Sequence, residues 1–216
     1  MNTRIAMLAV AAGATLLAGC KREGDLVVEQ GVGITALRTV CPAVGVPEFL
    51  GDITTFNPAG ARTLDALDMT AAITNVRSQC DESGAEVYTT ATFDVIAQRR
   101  DTRGARTVEL PYFSTVMRGG SSVIAKRVGT VTLNFADGQE RAQASGTAGA
   151  VVDRAEATLP QEIVQRITRR RDAGDAAAAI DPLTEPDVRA AVARATFELL
   201  IGFQMDEASL GYNATR

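Results

Sequence analysis

Val87-Tyr88-Thr89-Thr90-Ala91-Thr92-Phe93-Asp94-Val95-Ile96-Ala97 is the stretch on which the fold turns. Its odd positions read Val, Thr, Ala, Phe, Val, Ala. Its even positions include Tyr88, Thr90, Thr92 and Asp94, with Gln98 just beyond. Successive side chains of a strand point to opposite faces, so this spacing predicts a strand with one dry face and one wet face.

The same alternation recurs on both sides. Val108, Leu110, Tyr112, Ser114 and Val116 share one face of a second strand. From Val123 to Phe135 the odd positions read Val, Ala, Arg, Gly, Val, Leu, Phe. Turn signals separate these runs: Asp81-Glu82-Ser83-Gly84, Asp101-Thr102-Arg103-Gly104, Arg118-Gly119-Gly120-Ser121 and Ala136-Asp137-Gly138-Gln139. Gly reaches positive φ without a Cβ clash, and Asp or Ser bonds the local backbone. Asp137-Gly138 is a strong hairpin signal. Pro111 cannot donate to a ladder, so its strand is expected to lie at an edge or to break there.

From Leu67 to Cys80 the apolar parity changes. Leu67, Met69, Ala71 and Ile73 are odd, whereas Val76 and Cys80 are even. A one-residue shift predicts a β-bulge near Thr74-Asn75 that returns Val76 and Cys80 to the core side. Shorter strands are expected over Gly31 to Val40 and Asp52 to Phe56. A further strand is expected over Arg141 to Val152, whose Ala and Gly face would let another element approach closely. About seven strands joined by tight turns predict a mainly β domain, an immunoglobulin-like antiparallel β-sandwich.

After residue 158 the character changes to a helical C-terminal segment, 159–216. Pro160 precedes a helical run from Gln161 to Arg171, with Ile163, Val164 and Ile167 on one face. Residues 172–179 read as a small-residue linker. Thr184-Glu185-Pro186-Asp187 reads as a helix start. Val188, Ala191, Val192, Ala195 and Leu199 keep helical spacing towards a stop at Gly202. A short final helix is expected around Asp206 to Tyr212.

The opening residues have another origin. Arg4 gives a basic start, Ile5 to Leu17 form an apolar run, and Leu17-Ala18-Gly19-Cys20 end it before Lys21-Arg22-Glu23. The run is too short for a spanning helix, which needs about 20 apolar residues. Leu17-Ala18-Gly19-Cys20 resembles the lipobox of bacterial lipoproteins, and the general plan is similar to envelope lipoproteins of proteobacteria. The resemblance implies cleavage before Cys20, with a diacylglycerol on its thiol and an acyl group on its amine. Two or more chains hold a protein stably on a bilayer. Lys21 is not the Asp that retains such proteins at the inner membrane in enteric bacteria. The resemblance therefore implies the periplasmic leaflet of the outer membrane. The expected organisation is a signal peptide over 1–19, a lipidated tether over 20–31, a β-sandwich over 32–158 and the tail. The tether reaches at most roughly 40 Å.

Composition narrows the chemistry. Removal of residues 1–19 removes Arg4 and no acid, taking the net charge from −4 to −5. That gives no general attraction to nucleic acid, and none is expected as a partner. Trp is absent and aromatic content is 5%, which weighs against carbohydrate platforms and base-stacking surfaces. His is absent, so there is no His base, no His metal ligand and no His-centred triad. No cofactor and no metal are implied. Cys41 and Cys80 remain after Cys20; in an oxidising compartment an even pair predicts a disulfide.

Three kinds of candidate site remain. Arg166, Arg169, Arg170 and Arg171 form the densest basic cluster, either an anion- or partner-binding patch or a solvated helix end. Phe197, Leu200, Ile201 and Phe203, with Leu210 and Tyr212, form an apolar stretch, either a docking surface or part of the core. Asp65 with Asp68, and Asp81 with Glu82, are the paired carboxylates, of a kind common at turns. No catalytic residue is assigned and an enzyme is not expected. The expected role is a non-catalytic envelope adaptor or assembly component, held to the membrane through Cys20 and working with an envelope protein partner. The alternative is a periplasmic carrier of lipid or another apolar ligand.

Overall fold

A computed structural model describes residues 39–172, 174, 176 and 180–215. Cys20, the tether and most of the strand expected over Gly31 to Val40 lie outside these residues. The chain divides into a body, 35–168 with 181–216, and a second unit, 1–34 with 169–180. The body contains β1 (Ala43–Gly45), β2 (Asp52–Phe56), β3 (Leu67–Asp81), β4 (Glu86–Arg99), β5 (Arg106–Arg118), β6 (Ser122–Phe135) and β7 (Arg141–Asp153). Then follow α1 (Arg154–Ala157), α2 (Gln161–Thr168), α3 (Pro186–Ala195), β8 (Phe197–Phe203) and α4 (Glu207–Thr215). No helix among the described residues is long and apolar enough to cross a membrane.

The fold is mainly β. One four-stranded sheet has the order β2-β3-β4-β7 and the other β1-β8-β5-β6. The alternation quoted above governs the first sheet: Val87, Thr89, Ala91, Phe93, Val95, Ala97 and Arg99 of β4 are all buried. They share one core with Leu110 and Val116 of β5, Val131, Leu133 and Phe135 of β6, and the odd residues of β8. The small-residue face of β7 has a direct use. A Cβ on Gly146 would lie 2.3 Å from the Phe93 ring. Phe93 stands edge-on to Tyr112 at 5.0 Å. Tyr112 in turn covers Gly129 of β6, and its hydroxyl donates across to the Thr147 carbonyl of β7 at 2.7 Å.

The bulge falls where the parity change predicts it. Register shifts between Thr74 and Arg77, and Asn75 has φ 51°. Asn tolerates this left-handed region better than most residues. Its side chain donates to Asp94 at 2.8 Å and accepts from Arg77 at 3.0 Å, which pins the bulge to both strands. Val76 returns to the core, half-buried. Cys80 does not; it is exposed, because β3 has run past the core into the turn before β4.

Pro111 lies inside β5, which is a central strand. It is tolerated because β8 pairs with β5 only from Tyr112 onward. The Pro111 carbonyl accepts from the Gln204 amide, so its missing N–H faces the side where β8 has already ended.

Two features depart from a wholly antiparallel, immunoglobulin-like sandwich. β1 runs parallel to β8, and β8 arises in the tail whose spacing predicts a helix. α3 ends at Ala195, and Phe197-Glu198-Leu199-Leu200-Ile201-Gly202-Phe203 is a strand between β1 and β5. This segment also fits period two, with Phe197, Leu199, Ile201 and Phe203 buried. The open edge of β5 selects that reading, because a strand there pairs its backbone and fills the core at once. Gly202 ends no helix; it makes room for Phe113 and Leu50, whose atoms would stand 2.8 and 2.9 Å from a Cβ.

Candidate functional site

The sequence-predicted residues do not assemble into one site. Cys41 and Cys80 are joined, with Cα atoms 6.2 Å apart. The bridge fastens the segment leading into β1 of one sheet to β3 of the other.

Of the arginine cluster, only Arg166 belongs to the body. α2 stops at Thr168, so the expected helix to Arg171 is three residues shorter. The Arg166 guanidinium donates to Asp187 and Glu185 at the start of α3. Its pKa is raised by those two carboxylates, and that of Asp187 is lowered by Arg166. Arg166 is therefore an interhelical tie rather than an open anion site. Arg169 and Arg170 are exposed and Arg171 is half-buried, all in the second unit.

Most of the apolar stretch is built into the core. Phe197, Ile201 and Phe203 are buried and Leu200 is half-buried opposite Thr115. Tyr212 stands edge-on to Phe56 at 5.2 Å. Leu210 alone is exposed. β-pairing draws the strand inward, while α4 packs its own end against β2. There Asn213 donates to the Phe49 and Asp52 carbonyls at 2.9 and 2.7 Å.

Of the paired carboxylates, Asp68 and Asp81 are committed to structural donors. Asp68 accepts both Arg106 fork nitrogens at 2.7 Å and the Thr55 hydroxyl at 3.2 Å. Asp81 accepts the Ser83 amide at 3.0 Å, and Asp101 is held by Arg103. The resolved shifts of Asp68, Asp81, Asp94, Asp101, Asp187 and Asp206 are all downward. A general acid near neutral pH needs the opposite direction. Among the described residues no three His, Cys, Asp or Glu side chains come together to hold a metal.

The Asp68–Arg106 pair carries a pH prediction. Hydrogen bonds from Arg106 are the first cause of the lowered Asp68 pKa, ahead of the opposing effect of burial. A lowered folded value means that the pair contributes stability above the unfolded pKa of about 3.9. That contribution is lost as pH falls through the folded value. Asp68→Asn is expected to flatten the acid limb of stability between about pH 5 and pH 2. Urea midpoints measured across that range check this; parallel curves for the two proteins would refute it.

Two features escape the sequence reading. Arg99 is 1% exposed and forms no salt bridge among the described residues; Asp101 feels its charge only through space. It continues the inward parity of β4, where an arginine is not expected without an acid. The second feature is a groove of about 230 Å³ where the edges of the two sheets, β6 and β7, separate. Thr89 and Val116 line it from within, Ile124, Ala125 and Arg127 from β6, and Ala150 and Val151 from β7. The Thr89 hydroxyl is buried and has no hydrogen-bond partner. Of the lining residues, Tyr88, Ile124 and Val151 are each about half-exposed. The alternation in β6 predicts a dry face along its whole length; it holds only from Val131 to Phe135, because the sheets diverge before that. The groove is thus a strand edge with apolar walls, one cation and one unpaired hydroxyl. The chain matches no protein-family model, no curated protein and no solved structure.

Proposed function

We propose that the protein is an envelope lipoprotein, anchored through Cys20 at the periplasmic leaflet of the outer membrane, acting as a non-catalytic adaptor or assembly component. The lipobox-like residues support the anchor. The observation that carries the adaptor role is the half-exposed apolar cluster on β6, β4 and β7, set on a body whose core is otherwise filled. Clusters of this kind mark interaction surfaces. The filling of the space between the sheets by Phe93, Tyr112, Leu133 and Phe135 favours this reading over the carrier of an apolar ligand. A drug-sized ligand needs a mostly apolar pocket of about 300–1,000 Å³; the groove is smaller, at about 230 Å³, and the hollow of about 640 Å³ beside β2, β3, β4 and β7 has a partly polar lining that includes Asp52, Thr70, Gln98, Arg141 and Gln143. In architecture we read the body as a sandwich of the immunoglobulin-like kind, with a late strand added beside β5.

The test is photocrosslinking in intact cells. A crosslinker at Ile124 is expected to capture a discrete envelope protein, whereas one at the outward, exposed Thr132 of the same strand does not. Cys20→Ser is expected to release the protein from membranes and to weaken the adduct several-fold. Membrane fractionation unchanged by Cys20→Ser would overturn the anchor. Absence of any adduct at Ile124 would overturn the adaptor role.

A further inference from the structure

The groove between β6 and β7 also specifies the chemistry of its occupant, an inference that rests on the adaptor reading. β6 and β7 each end a sheet, so each offers unpaired backbone groups. In β6 the face is set by Gly129, which lies under the inward Tyr112 ring. Arg127, two residues earlier, shares that face and pairs with the buried Ser114. The cation therefore stands at the open mouth between the sheets. Lys126 lies on the other face, with its ammonium 5.2 Å above the Phe113 ring. Neither Lys126 nor Arg127 has a carboxylate partner among the described residues. Thr89 supplies an independent sign. Its hydroxyl is shut away from water, on a residue 2% exposed, and makes no hydrogen bond. Leaving such a group unpaired costs about 1–3 kcal/mol.

We propose that this groove binds an extended, acidic segment of a partner protein, which adds as a strand to the β6 edge. One carboxylate reaches Arg127 and accepts the Thr89 hydroxyl, while the apolar side chains, on the opposite face of the added strand, extend the exposed Ile124 side of β6. Strand addition draws affinity from main-chain hydrogen bonds and specificity from alternate side chains. Charge selects this occupant over a second copy. Two antiparallel β6 edges would set Lys126 and Arg127 of each copy against those of the other, and facing like charges destabilise a strand pair.

The probe is a labelled synthetic peptide of about eight residues alternating Val and Glu, titrated into the full mature protein in detergent. Its Val-Lys counterpart and a version N-methylated at alternate amides serve as controls. The Val-Glu peptide is expected to bind about tenfold or more tightly than the Val-Lys peptide, and N-methylation is expected to abolish binding. Arg127→Gln is expected to weaken the Val-Glu peptide by about tenfold. Thr89→Val removes only the unpaired hydroxyl. It is expected to weaken the peptide several-fold while leaving the melting temperature equal or higher, which a purely structural threonine would not do. Equal affinity for the two peptides, indifference to N-methylation, or no binding would each overturn the proposal. So would Arg127-dependent binding to phosphatidylglycerol vesicles in place of the peptide. An Ile124 adduct in cells alongside a failed peptide leaves the adaptor role standing and removes only the strand-addition mode. A bound peptide without any Ile124 adduct does the reverse.

Discussion

Arg99→Met is expected to lower the free energy of unfolding by about 3–5 kcal/mol. The guanidinium is enclosed by main-chain carbonyls. Its Nε donates to Gln139 at 2.8 Å, Nη1 to Gly104 at 2.9 Å, and Nη2 to Thr102 and Ala136 at 2.7 and 2.8 Å. It also lies 5.1 Å above the Phe135 ring. One side chain thus satisfies the turn between β4 and β5 together with the turn between β6 and β7. Met fills much of the volume but removes all four donors; the Thr102 and Ala136 carbonyls keep the Gly138 and Gln139 amides, whereas those of Gln139 and Gly104 lose their donor. Each loss costs about 1–3 kcal/mol when no water replaces it, and partial rehydration of the turns brings the sum down to the stated range. Arg99→Lys is expected to fall between the two, since an ammonium has three donors and no fork. Urea unfolding should show a lower midpoint at unchanged slope, the sign of lost stability rather than an altered unfolded state. An Arg99→Met midpoint equivalent to a loss below about 1 kcal/mol would show that the two turns hold themselves.

Removal of the disulfide is expected to cost about 4 kcal/mol in the chain-entropy model. The bridge spans 39 positions and joins the approach to β1 with the far end of β3, which belong to different sheets. β1 has only three residues and a single neighbour, β8. Its position therefore depends on the crosslink more than on its own ladder. The double variant Cys41→Ser, Cys80→Ser should unfold at markedly lower urea than the oxidised protein. The two should converge when the wild type is reduced. Equal midpoints under oxidising conditions would mean that the sheets position this segment unaided.

The strands with one wet face were legible, because burial of one face imposes a period of two that few other structures share. β2 has the expected bounds, and β4 follows the quoted stretch residue by residue. The bulge at Asn75 was legible for a related reason, since a parity change has few other physical causes. The pairing of Cys41 with Cys80 followed from their being two. The strand at Phe197 was not legible. Val188 to Leu199 satisfies helical spacing, Phe197 to Phe203 satisfies strand spacing, and the choice depends on the vacant edge of β5, which no local window contains. Arg99 was hidden because its partners are carbonyls, which every residue carries. The site suffered most. Of the residues that stand out in the chain, Arg166 is an interhelical tie and the apolar run is a core strand, whereas the groove draws on residues from β4, β5, β6 and β7.

By itself, the order of residues determined a mainly β body, its turns and its bulge, since each is written in neighbours along the chain. Tertiary structure alone decided that the tail supplies a central strand, that a lone arginine holds two turns, and that the sheets part between β6 and β7. These outcomes depend on edges and carbonyls brought together from distant segments, and a backbone group is recognised by its position in space, not by the residue that bears it.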